Sequence, residues 1–215
     1  MHVAILISTY DRLELLKRCI KSIVDSDYKD VSIFVVVDGN KSLFNKLLGE
    51  PITMILNEKR MGYVFSMNRA LREMGEADAV LYASDDLMFH SNCISNAVRA
   101  MKEHFPDNDG LVALKQTQKE SGVAFGLLGR KFINRFPDSA VFCPEYVHYA
   151  SDTELGRMAK HFGLLYQCRE AIVGHLKMQD NTFNLAQEVK VHDKRIHQRR
   201  KRKGFLWGKN FERLG

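Results

Sequence analysis

The chain has 215 residues, 45% of them hydrophobic, which is enough to bury the core of one large domain or two small ones. Its four cysteines are far apart and lack the paired spacing of a zinc site or a disulfide framework, so we expect a reducing, cytoplasmic setting. The opening apolar run is too short for a signal peptide, and no later segment approaches the length of a membrane helix. We therefore expect no transmembrane segment.

Apolar runs of strand length alternate with helical periodicity in the first half of the chain. The predicted strands are Val3–Ile7, Val31–Val37, Ile52–Leu56, Ala79–Ser84 and Leu111–Leu114. The predicted helices cover the periodic positions from Leu13 to Val24, from Val64 to Met74 and from Ile94 to Met101. This alternation predicts an α/β fold with an open, mostly parallel twisted sheet and helices on both faces.

The second half is less regular. The stretch from Gly122 to Pro144 is rich in Gly, Phe and Pro, and we expect loops there. Helical spacing returns from Leu155 to Phe162, and short apolar runs follow at Leu164–Tyr166 and Ala171–Val173.

Positive charge is concentrated near the end of the chain. Residues 190–203 contain eight Lys or Arg and one Asp, although the formal net charge of the whole chain is only +6. We expect one domain over residues 1–192, with halves at 1–115 and 116–192, followed by a basic tail at 193–215. A solvated, partly helical tail is the plainest interpretation, but the tail could also bind nucleic acid, an anionic lipid surface or the phosphates of a ligand.

Two adjacent carboxylates, Asp85 and Asp86, end the predicted strand Ala79–Ser84. Ligands of open α/β sheets bind outside the carboxyl ends of the strands. Mg²⁺ and Mn²⁺ prefer oxygen ligands and are often held by one or two carboxylates plus substrate phosphates. The pair therefore suggests a metal-bound nucleotide, although one Asp could instead cap the following helix while the other is solvated.

Other polar residues also follow predicted strands, at Thr9, Asp38 and Asn57. A carboxylate in the position of Asp38 can accept hydrogen bonds from a base or a ribose, but an Asp-Gly pair also forms turns. No glycine-rich phosphate loop is present, so a diphosphate would need a metal and cations such as Arg60. This argues against an ordinary kinase or dehydrogenase.

Four motifs in order make the first 90 residues resemble family 2 glycosyltransferases, which have the GT-A fold. They are Ile7–Arg12, Val37-Asp38-Gly39, Asn57–Gly62 leading to Asn68, and Ser84-Asp85-Asp86. The resemblance implies a Rossmann-like half that binds the nucleotide sugar and an irregular half that binds the acceptor.

The resemblance also implies roles for single residues. Asp38 would contact the base, Asp85 the ribose or sugar, and Asp86 a Mn²⁺ or Mg²⁺ ion as the last residue of the family's Asp-x-Asp motif, whose first position is Ser84 here. The remaining residues implied for the UDP-, GDP- or dTDP-sugar are Thr9, Tyr10, Asp11, Arg60 and Asn68.

The second half resembles the family more loosely. Members usually place a catalytic acid at the start of a helix, and Asp152 matches that position, with Glu154 as a rival. Ser151 and Asp152 could instead cap the helix, with Glu154 completing a capping box. His175 follows a predicted strand where many GT-A enzymes supply a metal ligand. The segment after Asp180 resembles short members in which the C-terminal part folds back toward the nucleotide.

These roles together predict a metal-dependent, inverting glycosyltransferase that acts on a hydroxyl acceptor. A sugar-phosphate nucleotidyltransferase of related fold is one alternative, but it usually has a glycine-rich loop that residues 9–12 lack. A nucleic-acid-binding protein acting through the tail is another, and a DNA-modifying glycosyltransferase would combine both activities.

Overall fold

The computed structural model describes residues 1–118, 122–205 and 207. These residues form eight strands and seven α-helices. The strands are β1 (Val3–Thr9), β2 (Val31–Asp38), β3 (Thr53–Asn57), β4 (Ala79–Ser84), β5 (Leu87–Phe89), β6 (Leu111–Gln116), β7 (Gly126–Gly129) and β8 (Leu165–His175). The helices are α1 (Leu13–Val24), α2 (Lys41–Lys46), α3 (Tyr63–Glu73), α4 (Cys93–His104), α5 (Arg130–Ile133), α6 (Ser151–His161) and α7 (Asn181–Arg202).

All eight strands belong to one mixed sheet, in the order β3-β2-β1-β4-β7-β6-β8-β5. The first four neighbours run parallel, as the continuous apolar runs predict for strands buried on both faces. Antiparallel pairs join β4 to β7, β7 to β6 and β8 to β5. The predicted α/β class is confirmed, with parallel pairing concentrated among β1, β2, β3 and β4.

Helices cover both faces of the sheet, as predicted. One core includes Leu16 and Ile20 of α1 and Met101 of α4, whereas the other includes Met67 of α3 and Leu155 of α6. Because both faces are covered, ligands of such a sheet bind outside the carboxyl ends of the strands, where polar groups can emerge.

The expectation of loops from Gly122 to Pro144 was wrong in part, because this stretch contains β7, α5 and a 3₁₀ turn at Pro137–Ser139. Strand β7 is only four residues long and lies in the middle of the sheet. Its glycines let neighbouring chain pass closely: a side chain at Gly129 would meet the backbone oxygen of Asn108 at 2.1 Å.

Helix α7 contains most of the basic segment, and the expected boundary at residue 193 falls inside it. Ala186 and Asp193 are its buried residues. In the part of the chain that the structure describes, no helix combines the length and the apolar character needed to cross a membrane.

Candidate active site

The carboxyl ends of the four parallel strands bring the predicted polar residues to one edge of the sheet. Asp38 at the end of β2 is in register with Asn57 at the end of β3. Thr9 ends β1, and Asp85 directly follows the adjacent strand β4. The Thr9 hydroxyl donates a hydrogen bond of 2.8 Å to Asp85, so two of these strand ends are joined by their side chains.

Asp85 is nearly inaccessible to solvent, at 3% exposure. Burial raises the pKa of its carboxyl group to about 6, and the charge of Asp86 adds to the rise while Arg12 and Thr9 oppose it. The Arg12 guanidinium donates to Asp85 Oδ1 at 3.1 Å. Burial therefore disfavours the charged form of Asp85, and the contacts with Arg12 and Thr9 offset this effect only in part.

Asp86 and His175 face each other at this edge, with Nε2 of the imidazole 3.3 Å from Oδ2 of the carboxylate. Strand pairing produces this contact, because His175 is in register with Leu87, the residue after Asp86. Burial opposes ionisation of Asp86, but His175, Ser84 and Arg12 hold its pKa below the usual value. The Ser84 hydroxyl donates to Asp86 Oδ1 at 2.5 Å.

Gln116 fixes the orientation of the His175 ring. Its Oε1 lies 3.2 Å from Nδ1 of the imidazole, and the ring of Phe125 packs edge-on at 5.2 Å. When Nδ1 donates to this oxygen, Nε2 of the neutral ring keeps a lone pair that can bind a cation shared with Asp86. An oriented imidazole and a neighbouring carboxylate can each supply one ligand to a metal ion.

Arg12 also connects this edge to helix α7. It donates to both carboxylate oxygens of Asp180, at 2.8 Å from Nε and 2.9 Å from Nη2, and to Asp86 at 3.2 Å. Asp180 in turn caps α7 by accepting from the backbone N–H of Phe183 at 2.8 Å. The segment that begins at Asp180 therefore lies against the carboxyl edge of the sheet.

The donor set fits a divalent cation that takes most of its ligands from substrate and water. Three carboxylates surround the single guanidinium of Arg12, which leaves an excess of negative charge. The described residues contain no group of three or more His, Cys, Asp or Glu arranged to hold a metal by themselves. Asp86 and His175 would supply two ligands, in keeping with the habit of Mg²⁺ in nucleotide sites.

Asp38 is 4% exposed, and its carboxylate holds the loop after β3. Oδ1 accepts from the side chain of Asn57 and from the backbone of Met61, both at 2.8 Å, and Oδ2 accepts from the backbone of Gly62 at 2.8 Å. The next residue, Gly39, has φ +81° and lies so close to this loop that a Cβ would be 2.4 Å from the nitrogen of Arg60. Asp38 thus positions the loop that carries Arg60.

Tyr10, which follows β1, and Arg60, in the loop after β3, are in contact with each other. The guanidinium carbon of Arg60 lies 5.7 Å from the centre of the Tyr10 ring, within the range of a cation–π contact. Asn40 donates to the backbone oxygen of Tyr10 at 2.8 Å and lies 3.4 Å from Asp11. The predicted residues Tyr10, Asp11 and Arg60 therefore lie close together in the loops that follow β1 and β3.

Asn68 has a different position. Its side chain is 3% exposed, donates to the backbone oxygen of Phe142 at 2.7 Å and accepts from the backbone nitrogen of the same residue at 3.2 Å. Both ends of the amide are engaged with the main chain. Asn68 therefore joins α3 to the segment before α6.

Asp152 lies half-buried in the first turn of α6. Its charge and that of Asp86 both contribute, after burial, to raising the pKa of Tyr63, so both carboxylates lie near this tyrosine. The alternative role of Ser151 and Asp152 as helix caps is not found, because Ala150 is the cap residue and no side chain caps the helix. The described residues contain one buried side-chain polar atom without a hydrogen bond, the hydroxyl of Ser151.

Glu154, the rival carboxylate, is 2% exposed and fully engaged. Arg200 of α7 donates to both of its oxygens, and Tyr146 donates to Oε2 at 2.8 Å. Because α6 is helical, residues 152 and 154 point about 200° apart around its axis. One carboxylate faces the packed interior while the other borders a cavity, which favours Asp152 as the reactive group.

Sequence reasoning missed His148 and gave no specific role to Asp193. Asp193 is 0% exposed and accepts from three consecutive backbone N–H groups, those of Val147, His148 and Tyr149, at 2.7 to 3.0 Å. The fixed segment places His148 against the ring of Tyr63, with centroids 5.7 Å apart. Burial lowers the pKa of His148, and the charges of Arg60 and Arg12 act in the same direction.

The mixed sheet with its polar carboxyl edge has the architecture of the GT-A glycosyltransferases, and the solved structures that resemble it agree. The mannosyltransferase PcManGT from Pyrobaculum calidifontis, in complex with GDP-Man and Mn²⁺, superposes with a TM-score of 0.67 at 15% identity, over 84% of this chain and 58% of that chain. S. aureus TarS 1-349 in complex with UDP-GlcNAc has a TM-score of 0.60 at 15% identity, over 86% of this chain and 61% of that one.

The family itself is established by sequence. The profile described as glycosyl transferase family 2 matches residues 4–183, so this chain belongs to that family. No curated protein matches the sequence significantly. The chain spans about three fifths of the length of the two solved structures, and identities of this size show a common fold alone.

Proposed function

We propose that this glycosyltransferase transfers a sugar from a nucleotide-sugar donor to a hydroxyl group, with inversion at the anomeric carbon and with Mn²⁺ or Mg²⁺ as cofactor. The observation that carries the proposal is the contact of 3.3 Å between Asp86 and His175 at the carboxyl edge of the sheet. Asp152, in the first turn of α6, adds the general base that the reaction needs.

Asp86 and His175 would hold the metal, with diphosphate oxygens and water as further ligands. When bound, a divalent cation supplies a Lewis acid for the charge that develops on the departing nucleoside diphosphate. Arg12 contacts Asp85 and Asp86 and adds a fixed positive charge at the same place. The Thr9 hydroxyl orients Asp85, and the Ser84 hydroxyl orients Asp86, each by donating a hydrogen bond.

The nucleotide would lie along the wall formed by Tyr10 and Arg60, with Asp11 beside it. A flat aromatic ring and a guanidinium suit a base and a phosphate respectively. Asp38 contributes by holding the loop of Arg60, because its oxygens accept from that loop's backbone. UDP-, GDP- and dTDP-sugars all fit this description, and the two solved structures carry GDP-Man and UDP-GlcNAc.

Asp152 would act as the general base. Its carboxylate takes the proton of the acceptor hydroxyl as the oxygen attacks the anomeric carbon from the face opposite the leaving group, and a single displacement inverts the configuration. General-base assistance of this kind is worth about 10² to 10⁴-fold. Glu154 has no such role because Arg200 and Tyr146 already use both of its oxygens.

Release of nucleoside diphosphate tests this function directly. The protein is incubated with UDP-, GDP- and dTDP-sugars in Mn²⁺ or in excess EDTA, and slow transfer to water is measured as free diphosphate. We expect release from one donor class in Mn²⁺ and none in EDTA. Release that is equal in both solutions would refute the metal dependence, and release of pyrophosphate from a nucleoside triphosphate would favour a nucleotidyltransferase instead.

The structure weakens the support for a free nucleic-acid-binding tail. Arg199 and Arg200 pair with Glu145 and Glu154, so part of the basic run stabilises helix packing.

The four cysteines are free and buried, which supports the expectation of a reducing, cytoplasmic location.

A further inference from the structure

A groove with a volume of about 520 Å³ opens beside Asp152. One wall is the face of α6 that carries Asp152, Gly156 and Lys160, with Arg157 next to it. The opposite wall comes from Val123 in the loop before β7. Because Asp152 borders the groove, the groove begins at the residue that we propose as the general base.

The wall opposite α6 is a fixed part of the fold. The backbone oxygen of Val123 accepts a 2.6 Å hydrogen bond from Tyr82, whose side chain is 1% exposed in the core. Val123 also packs directly on Gly156, where an added Cβ would be 2.3 Å from its Cγ2. Glycine is unfavourable inside a helix relative to alanine, and here it permits this close contact.

The charges in the groove are separated along α6. Asp152 and Lys160 are eight residues apart, which corresponds to about 12 Å along the helix axis, and Arg157 lies between them. Among the described residues, neither Arg157 nor Lys160 forms an ion pair with a carboxylate. One end of the groove therefore has a carboxylate and the other has two cations.

Arg157 also extends the positive surface to helix α7. Its guanidinium carbon lies 5.6 Å from the centre of the Phe205 ring, which in turn is 5.0 Å from the ring of His197. Phe205 is only 8% exposed, so the aromatic ring on this surface is covered. Single-stranded nucleic acid is usually held by exposed rings on which bases stack, and this surface offers cations instead.

We propose that the groove binds an acceptor that carries a phosphate group, with the phosphate at Arg157 and Lys160 and the reacting hydroxyl at Asp152. This inference rests on the proposed function for the role of Asp152. Arg supplies a planar fork of donors for phosphate oxygens, and Lys supplies a compact charge. The phosphate of a soluble sugar and that of a lipid headgroup share this chemistry.

Binding of inorganic tripolyphosphate, measured by calorimetry in EDTA, tests the groove without a metal at the donor site. We expect the double variant Arg157→Gln/Lys160→Gln to lower the affinity at least about tenfold, since two charge-assisted contacts are lost. The matched control is Arg99→Gln/Lys102→Gln, because these residues are exposed on α4 with the same spacing of three. We expect a change of less than about twofold there.

Two further variants make the result specific. Asp152→Asn removes the negative charge at the other end of the groove and should strengthen tripolyphosphate binding. Exchange of the two cations, Arg157→Lys with Lys160→Arg, keeps the charge and should retain most of the affinity. An unchanged affinity in the Gln double variant, or an equal loss in the α4 control, would overturn the proposal.

Competition identifies the source of the phosphate. Displacement of tripolyphosphate by trehalose 6-phosphate but not by trehalose supports a soluble acceptor. Retention on vesicles that contain phosphatidic acid, lost in the Gln double variant, supports a lipid headgroup. Dependence on Arg157 and Lys160 seen only with single-stranded DNA would overturn the proposal. Mn²⁺-dependent binding of GDP or UDP by the unaltered protein is measured in parallel, so that a failure of the proposed function is recognised separately.

Discussion

Glu154 of α6 and Arg200 of α7 form a bidentate ion pair, with Nη2 to Oε1 at 2.8 Å and Nε to Oε2 at 2.9 Å. The side chains of the two residues are 3% and 12% exposed. The pair therefore joins the helix that carries the proposed base to the helix that follows the proposed metal site.

Replacing Glu154 by Gln should destabilise the protein, because Arg200 would keep its charge in a buried place with one carboxylate fewer. Removal of one partner of a buried pair typically costs about 3 to 5 kcal/mol, and the remaining contact of Arg200 with Glu145 should reduce this loss. Urea unfolding measures the free energy of unfolding of the variant and of the unaltered protein.

The neighbouring Arg199 provides the control. It also pairs with Glu145, but both side chains are at least 41% exposed, so Arg199→Gln should cost less than about 1 kcal/mol. Equal losses of unfolding free energy in the two variants would show that burial does not make the Glu154 pair more stabilising than the exposed pair.

The nucleotide half could be predicted from the sequence because its signals are local. Residues 31–37 are apolar apart from Ser32 and are followed by Asp38, so the run predicts both a strand and the place where a polar group emerges. The same reasoning located Thr9 and Asp86. Parallel strands bring such ends to one edge whatever the details of packing.

The second half depends on tertiary contacts that leave little trace in the sequence. Strand β7 is Gly-Leu-Leu-Gly, which is too short for periodicity, and its position between β4 and β6 follows from pairing alone. Asp193 stands in a basic run and gives no sign of burial, since three backbone N–H groups far away in the chain compensate its charge. The sequence likewise does not show that Glu154 is buried and paired while Asp152 borders a groove, because the partner of Glu154 is Arg200 of α7.

Asp152→Asn should lower transfer to an acceptor at least about 10²-fold, because an amide cannot take the proton of the hydroxyl at neutral pH. Affinity for nucleoside diphosphate with Mn²⁺ should stay within a factor of a few. Once an acceptor is identified, steady-state kinetics and calorimetry measure the two quantities. A variant that keeps full transfer would remove Asp152 from the mechanism, and the reactive base would have to be sought on another element.

His175→Gln should weaken Mn²⁺ binding in the presence of nucleoside diphosphate by about tenfold or more, because one of two proposed protein ligands is lost. Gln116→Leu should have a smaller effect in the same direction, since it removes only the hydrogen bond that orients the ring. Electron paramagnetic resonance of Mn²⁺ measures the bound metal without reference to turnover. His90→Gln is the control, because His90 is exposed beyond β5. Unchanged Mn²⁺ affinity in His175→Gln would exclude His175 as a ligand.

The buried His148 should make stability depend on pH. Burial holds its pKa in the folded protein below the unfolded value of 6.5, so the unfolded chain takes up the proton first as the pH falls. The contribution of this residue is therefore complete above pH 6.5 and is lost progressively as the pH falls toward its folded pKa. Asp85 acts in the opposite sense, because its pKa is raised to about 6 and the folded state binds its proton first.

Comparison with His148→Gln separates the two effects, because Asp85 titrates in both proteins and largely cancels in the difference. Urea unfolding between pH 8 and pH 5 should show that the unaltered protein loses stability relative to the variant as the pH falls. The exposed His90 again supplies the control, and His90→Gln should leave the pH profile of the free energy of unfolding unchanged. Parallel profiles for the unaltered protein and His148→Gln would mean that His148 accepts its proton in the folded cleft as readily as in the unfolded chain.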